Sequence, residues 1–374
     1  MIRREILHIC HSYYPPFLDV ARQYNSLFPR DAWRVTTVFL SGKTDDSIIN
    51  VIGGDEVIFL EKNSSALRGL KLGLIAKLRT IAAKHNFAFA IAHRFKALYL
   101  CTQIPGLYTF GVHHRPGGYK RWGRRWYVRW KKSQLTLLGV SNFVRDDMRK
   151  ALPNFPPDKI ETLYNHIDID ALRNGFLDRT EARQRLGLPS DGFLFVTIGR
   201  LHPDKDQQTL LRAFARYCEQ QSDGRLVIIG KGKLEANLKS LANTLGIGER
   251  IIFTGPVSDA WRYLQAFDSF VLSSNHEPFG MVLLEAMAAR LPIATTHNGG
   301  AGEVIGDSGF SFEVGDVDAL AKLLVRLRAI NATVLDDLQT RMDKRLHRLF
   351  SDAAIREAFW ILPSVRKVLD VNRH

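Results

Sequence analysis

Short apolar runs alternate with segments of helical period along most of the chain. Runs such as residues 6–10 and 193–198 have the length of buried strands, and segments such as 208–220 and 234–245 carry apolar residues at helical spacing. This alternation predicts an α/β fold of two doubly wound, Rossmann-like domains, with ligands at the carboxyl ends of parallel strands. The predicted strands are 6–10, 35–40, 57–60, 88–92, 107–112, 136–140, 193–198, 225–229, 251–253, 269–272 and 292–295.

The length of 374 residues suits two domains. We expect a first domain over residues 1–172, a second over 173–350 and a helical tail over 351–374, interrupted by Pro363. Cys10, Cys101 and Cys218 are widely spaced, which suits a reducing compartment and predicts neither a disulfide nor a metal framework. No secretory signal is expected, and no apolar run reaches the ~18 residues of a membrane span.

The positive charge is concentrated in the first half of the chain. Residues 1–170 carry 26 Lys and Arg against 14 Asp and Glu, a balance of +12 out of the total of +14. The densest segment, residues 113–132, has eight basic residues and no acidic one. This asymmetry predicts an anionic partner for the first domain.

Three tryptophans recur at every fourth position within this basic segment, so a helix would carry them on one stripe. Aromatic residues flanked by cations are typical of a helix lying at a membrane surface, and residues 67–84 form a second basic amphipathic stretch. The alternative is that the stripe packs on the core while the cations are solvated. Nucleic acid would also suit the charge, but no nucleic-acid-binding module is visible. The candidate membrane-facing residues are Trp122, Arg124, Arg125, Trp126, Arg129 and Trp130.

The segment EPFGMVLLEAMA, residues 277–288, carries the most informative chemistry. A turn at Pro278 and Gly280 leads into a helix predicted over 281–289, whose first turn offers backbone N–H groups to a phosphate. Glu277 precedes this helix and Glu285 lies within it, so both carboxylates are placed to accept hydrogen bonds from sugar hydroxyls. The alternative is an ordinary capped helix with two solvated acids.

A second motif follows the predicted strand 193–198. Gly199 is followed by two cations five residues apart, Arg200 and Lys205, which suit a diphosphate. Gly230 follows strand 225–229 and permits close backbone approach to an anion. Taken alone, the Arg200–Lys205 segment is better explained as a loop with two solvated cations, and the Gly230 loop is equally consistent with a simple turn.

Together these motifs resemble retaining nucleotide-sugar glycosyltransferases of the family 4 group, which have the GT-B fold of two domains facing a central cleft. The segment at 277–288 resembles the family's donor-binding signature, and residues 199–205 resemble its GR-x4-K element, with Asp206 replacing a common glycine. Residues 253–258 and 298–303 resemble loops beside the donor. The donor-binding residues expected from the resemblance are Glu285, Phe279, Gly280, Met281, Val282, Gly199, Gly230 and Val257.

The resemblance is thinner in the first half. His113 and His114 end a predicted strand where related enzymes place an acceptor-side group, and Arg115 follows them. The loop at residues 11–19 lacks the Gly-Gly often found there, which puts phosphate contact from it in doubt, and His166 replaces a family glycine. In GT-B proteins the terminal helix commonly crosses back to the first domain, as we expect for 351–374.

The resemblance implies a bacterial enzyme that moves a hexose or N-acetylhexosamine from a UDP-sugar to a lipid-linked glycan, such as the lipopolysaccharide core. Glu277, Arg200, Lys205 and His113 are the expected catalytic residues, with no metal and no cofactor. We expect a cytoplasmic protein at the cytoplasmic face of the inner membrane, without a nucleic-acid partner. The alternatives are a nucleotide-sugar epimerase or hydrolase on the same fold and a basic nucleic-acid-binding protein.

Overall fold

A computed structural model describes residues 3–14, 17–63 and 69–371. The chain folds into two compact units, one of Met1–His166 with Asp352–His374 and the other of Ile167–Ser351. Two segments singled out from the sequence are described only in part, because Pro15 and Pro16 of the 11–19 loop and residues 67–68 of the second basic stretch lie outside the described residues.

The first unit contains a parallel sheet of seven strands in the order β3-β2-β1-β4-β5-β6-β7. Its strands are β1 (Arg4–Cys10), β2 (Trp33–Phe39), β3 (Glu56–Phe59), β4 (Phe87–His93), β5 (Thr109–His113), β6 (Leu135–Gly139) and β7 (Ile160–Thr162). Its first helices are α1 (Phe17–Asn25), α2 (Asp46–Ile52), α3 (Leu72–Ala82), α4 (Arg94–Cys101), α5 (Trp122–Trp130) and α6 (Asn142–Ala151).

The second unit contains a parallel sheet of six strands in the order β10-β9-β8-β11-β12-β13. Its strands are β8 (Leu194–Ile198), β9 (Arg225–Ile229), β10 (Ile251–Gly255), β11 (Ser269–Leu272), β12 (Ile293–Thr296) and β13 (Phe310–Phe312). Its helices are α7 (Ile169–Gly175), α8 (Arg179–Arg185), α9 (Gln207–Gln220), α10 (Glu235–Thr244), α11 (Met281–Ala288), α12 (Gly300–Ile305), α13 (Val317–Arg328) and α14 (Ala332–Leu349).

Two helices complete the first unit, α15 (Asp352–Ile361) and α16 (Pro363–Val371). Pro363 is the first residue of α16, where its missing N–H costs nothing. Phe359 is buried against the rings of Phe28, Phe89 and Phe110. The indole of Trp360 donates a hydrogen bond to the Leu27 carbonyl at 3.0 Å, so α15 closes part of the core of the first unit.

The predicted fold class is confirmed. The central strands are buried on both faces and read as continuous apolar runs, which is why the pattern reveals them. The sequence analysis missed β7 and β13, which have three residues each and lie at sheet edges, too short for a periodic signal. Within the described residues, none of the helices has both the length and the apolar character needed to cross a membrane.

Candidate functional site in the second unit

The strand order of the second sheet reverses at β8, which has β9 on one side and β11 on the other. In doubly wound sheets ligands bind outside the carboxyl ends of the strands at such a reversal. The loop after β8 carries Gly199, Arg200 and Lys205, and the loop after β11 carries Glu277. The topology therefore brings together two motifs that are separated by more than 70 residues in sequence.

Lys205 and Glu277 form an ion pair across this reversal. The Lys205 ammonium donates to Glu277 Oε2 at 2.6 Å, and the side chains are only 18% and 9% exposed. The Ser273 hydroxyl also joins the same loops, because its one proton is shared between the carbonyls of Lys205 and Asp206, both at 3.0 Å. The carboxylate that the sequence analysis assigned to the sugar is thus held by a cation that it assigned to the diphosphate.

Arg200 has a different environment from Lys205. Its side chain is 71% exposed, and its Nη2 donates to Asp204 Oδ2 at 3.0 Å. Exposed pairs of this kind contribute only about 0–1 kcal/mol. The guanidinium can therefore move from Asp204 to a bound anion at little energetic cost.

The glycines of the strand exits allow backbone to pack on backbone. A Cβ at Gly230, where φ is +144°, would lie 1.9 Å from the Gly199 carbonyl oxygen. The amide of Gly230 donates to the carbonyl of Gly255 at 2.9 Å, two residues before the half-buried Val257. The exits of β8, β9 and β10 are thus linked at Gly199, Gly230 and Gly255, with Val257 two residues further along the chain. The glycine at 230 is required by the protein backbone itself, whether or not an anion binds there.

The start of α11 lies on the same edge of the sheet. Gly280 caps the helix at φ +98°, in the left-handed region that favours glycine. Phe279 is buried against the ring of Phe350, with ring centroids 5.8 Å apart. The amide of Gly300 donates to the Glu277 carbonyl at 2.8 Å. The positive end of the α11 dipole, at Met281 and Val282, is thereby fixed beside the Lys205–Glu277 pair.

Glu285 lies further along α11, eight residues after Glu277, and is half-buried. Asn275 and Asn298 connect the neighbouring loops, since the Asn298 amide donates to the Asn275 carbonyl at 2.6 Å. The Asn275 side chain in turn donates to the Pro203 carbonyl at 3.0 Å. These positioning contacts were missed by the sequence analysis, because amides in polar loops carry no periodic signal.

The candidate acceptor-side residues lie in the first unit, at the end of β5. His113 is buried, and its Nε2 is 2.8 Å from the Tyr119 hydroxyl. Burial, and then the positive charge of Arg124, lower the pKa of His113 to about 4. His114 is partly exposed, and burial lowers its pKa to about 3, with Arg94 adding to the effect. Both imidazoles are therefore neutral at neutral pH, and Arg115 is exposed beside them.

The tryptophan stripe lies on the surface of the first unit. Trp122, Trp126 and Trp130 of α5 are 76%, 60% and 61% exposed, whereas Tyr127 and Val128 form the buried face of the same helix. The stripe therefore does not pack in the core.

The arginines of α5 are half-buried rather than fully solvated. This holds for Arg124, Arg125 and Arg129. Arg124 turns back to the protein, where it donates to the Gly118 carbonyl at 2.9 Å and lies over the Phe95 ring. Arg121 and Lys132, which flank the helix, are exposed cations next to the tryptophans.

A second exposed apolar pair is linked to α5 through Tyr99. Leu70 and Leu72 are each 70% exposed at the start of α3. The Tyr99 hydroxyl donates to the Leu70 carbonyl at 3.3 Å, and the Tyr99 ring is 5.1 Å from that of Tyr127 on α5. The two stretches that the sequence analysis singled out for membrane contact are thus neighbours. We call Leu70, Leu72, Trp122, Trp126 and Trp130 the apolar face.

The whole architecture is similar to solved glycosyltransferase structures. A glycosyltransferase from Rickettsia africae has a TM-score of 0.83 at 17% identity, with 99% of both chains covered. The HepE protein of Anabaena, solved in complex with UDP-glucose, has a TM-score of 0.76 at 19% identity, with 98% of this chain and 99% of that chain covered. Two doubly wound units of this kind define the GT-B fold.

The sequence of the second unit is similar to known glycosyltransferases. Residues 178–345, somewhat less than half of the chain, match the family described as Glycosyl transferases group 1. The lipopolysaccharide core biosynthesis glycosyltransferase LpsE of Rhizobium meliloti is 33% identical over 183 residues, which are 47% of this chain and 51% of that protein. The chain thus spans about half the length of this curated relative.

Proposed function

We propose that the protein is a retaining glycosyltransferase that moves a sugar from a nucleotide sugar to a lipid-linked glycan. The observation that carries the proposal is the Lys205–Glu277 ion pair at the strand reversal, with Arg200 and the start of α11 on the same edge. A cation and a helix dipole suit the charge that develops on a departing diphosphate. A carboxylate fixed beside them suits the hydroxyls of the sugar that the diphosphate carries.

In the proposed reaction, the bond between the sugar anomeric carbon and the diphosphate oxygen breaks. A bond to the acceptor hydroxyl oxygen forms on the same face, and a phosphate oxygen of the leaving group takes the hydroxyl proton. Arg200, Lys205 and the helix start stabilise the leaving group, while Glu277 orients the sugar. This assignment needs neither a metal ion nor a carboxylate nucleophile.

The proposed donor is a UDP-sugar carrying a hexose or an N-acetylhexosamine. Glu285 would hold the ribose, and the loop at Val257 would contact the base. The fold similarity to HepE, which was solved with UDP-glucose, supports this choice. Acceptor recognition is assigned to the first unit, with His113, His114 and Arg115 at the end of β5.

The proposed acceptor is an anionic glycolipid such as the lipopolysaccharide core, reached at the cytoplasmic face of the inner membrane. The similarity to LpsE and the excess of +12 charges in the first 170 residues support this assignment. The apolar face adds a second argument, since exposed tryptophans bordered by cations suit the interface of an anionic membrane.

The proposal is tested by incubating the purified protein with UDP-sugars, with and without a truncated core glycolipid. We expect acceptor-dependent release of UDP and a product whose anomeric configuration matches that of the donor, as read by NMR. Steady epimerised or hydrolysed sugar without an acceptor would instead identify an epimerase or hydrolase. Salt-sensitive binding of RNA or DNA with no response to UDP would overturn the enzyme assignment.

A further inference from the structure

Three side chains with metal-binding atoms meet inside the first unit. His8 and Cys10 lie two residues apart on β1, so both side chains point to the same face, and His93 ends the adjacent strand β4. All three are buried. His8 Nε2 is 2.8 Å from His93 Nε2 and 3.4 Å from Cys10 Sγ, and the three ligand atoms lie within 4.8 Å of one another.

Hydrogen bonds on the outer side fix the orientation of His8. Its Nδ1 is 2.6 Å from Asn25 Oδ1. The Asn25 amide nitrogen donates to the Thr37 hydroxyl and to the Ile52 carbonyl, both at 3.1 Å, so the oxygen of that amide is the atom that faces His8. His8 Nδ1 therefore carries the proton, and His8 Nε2 presents a lone pair to His93 and Cys10.

His93 also has a hydrogen-bond partner at its Nδ1 atom. Its Nδ1 is 2.9 Å from His114 Nε2, so an outer partner exists for this imidazole too. Metal-binding histidines usually donate their second ring N–H to such a partner. Without an ion, His93 Nε2–H donates to His8 Nε2 at 2.8 Å and His114 donates to His93 Nδ1. When His93 instead donates to His114, the Nε2 lone pairs of His8 and His93 face each other, and a shared positive ion makes this arrangement favourable.

We propose that His8, Cys10 and His93 form a binding site for one thiophilic d10 metal ion, Zn²⁺ or Cu⁺. One thiolate and two imidazoles are the ligand set that such ions prefer. Metal–nitrogen bonds of about 2.0–2.1 Å require the two Nε2 atoms to separate by roughly 0.5 Å. The ion would cross-link β1 and β4, the strands at the reversal of the first sheet.

Binding of the proposed metal ion releases a proton from the protein. The thiol of Cys10 loses its proton as the metal–sulfur bond forms. The His93 proton moves from Nε2 to Nδ1 and the His114 proton moves from Nε2 to Nδ1, so neither imidazole changes its net charge. Binding releases one proton per ion.

A simple proton relay explains the cluster less well. The chain of imidazoles runs from the partly exposed His114 inward to His8 and ends at Asn25, which cannot titrate. A relay of this kind has no proton to deliver at its inner end except that of the buried Cys10 thiol. A metal site uses all three inner side chains and both outer partners.

The site is tested with the full-length, reduced protein. Zn²⁺ is titrated in competition with a chromophoric chelator, and Cu⁺ is titrated under anaerobic conditions in competition with a Cu⁺ chelator. We expect one tight equivalent of at least one of these ions and at least a 100-fold loss of affinity in Cys10→Ser. Cys101→Ser is the matched control, because Cys101 is equally buried in the same unit but lies outside the cluster, and it should bind as wild type does.

Two spectroscopic and calorimetric readouts identify the ligands. Co²⁺ bound to wild type should show a thiolate charge-transfer band that is absent in Cys10→Ser, and calorimetry in buffers of different ionisation enthalpy should give one proton released. If Cys10→Ser does not fold, His93→Gln takes its place. The inference is overturned if folded wild type binds neither ion stoichiometrically, or if the variants bind as tightly as wild type.

Discussion

The Lys205–Glu277 pair permits a test that separates stability from catalysis. Replacing either residue by Met leaves the other charge largely shielded from water and uncompensated. Breaking a buried pair costs about 3–5 kcal/mol, and one hydrogen bond to a charged group contributes about 1.5–3 kcal/mol. Because these side chains keep 18% and 9% exposure, we expect a loss of about 2 kcal/mol for each single variant. In a unit of this size that loss lowers Tm by roughly 4–8 °C.

The double variant Lys205→Met/Glu277→Met should recover most of this stability, since replacing both partners by apolar groups is nearly neutral. Activity should not recover, because both proposed roles in transfer are lost. We expect each variant to lose about 10²–10³-fold or more in kcat, the usual effect of removing one group that stabilises charge in the transition state. Thermal unfolding and UDP release are measured on the same preparations.

The matched control is Lys239→Met, which breaks an exposed ion pair with Glu235. Its length of 2.7 Å is close to the 2.6 Å of Lys205–Glu277. This variant should change stability by less than about 1 kcal/mol and leave transfer intact. Recovery of activity in the double variant would show that the pair only holds two loops together, and the donor assignment of Glu277 would then be wrong.

Four further results are expected. Glu285→Gln should weaken UDP binding by roughly 10-fold or more in calorimetry, since a hydrogen bond to a carboxylate contributes about 1.5–3 kcal/mol. Glu235→Gln is the control. Unchanged UDP affinity in Glu285→Gln would contradict the ribose role. Brief EDTA treatment should leave transfer unchanged. Activity that is lost and then restored by Mg²⁺ or Mn²⁺ would refute metal-free transfer. Rescue by these hard ions would not point to the proposed His8–Cys10–His93 site, because its thiolate and imidazole ligands suit softer ions. Replacing Trp122, Trp126 and Trp130 by Ser should abolish binding to anionic vesicles in a sedimentation assay but spare transfer to a lipid-free acceptor, whereas Ile361→Ser, another exposed apolar position, should bind normally. Lowering the pH from 7.5 to 5 should reduce the unfolding free energy of the first unit by roughly 2 kcal/mol through His113, whose pKa is about 4 when folded and ~6.5 when unfolded. The contribution of the neutral His113 to stability is complete above the unfolded pKa and is lost as the pH falls towards the folded pKa. Urea unfolding of His113→Gln should lack this part of the pH dependence.

The fold could be predicted from the sequence because its strands are buried on both faces and its helices are amphipathic. The same reasoning proposed Glu277 and Lys205 separately, as a sugar contact and a phosphate contact. Their pairing could not be predicted, because they are 72 residues apart and only the order of β8 and β11 brings them together.

The cluster of His8, Cys10 and His93 could not be predicted from the sequence for the same reason. His8 and His93 are 85 residues apart, and three scattered cysteines suggested no metal framework. The tryptophan stripe posed a different problem. The spacing of the tryptophans predicts that they share one face of a helix. Only the burial of Tyr127 and Val128 in the structure shows that the opposite face packs inward.

The discontinuous first unit has a consequence for how the protein is made. Its core includes Phe359, whereas the whole of the second unit is encoded between residues 167 and 351. On the ribosome, the second unit can therefore finish folding while the first still exposes the surface around Phe28, Phe89 and Phe110 that Phe359 covers. A chain cut after residue 166 would keep that surface exposed. In a circular permutant that joins residues 352–371 directly to the first unit, Phe359 would be available to bury this surface before the second unit is synthesised.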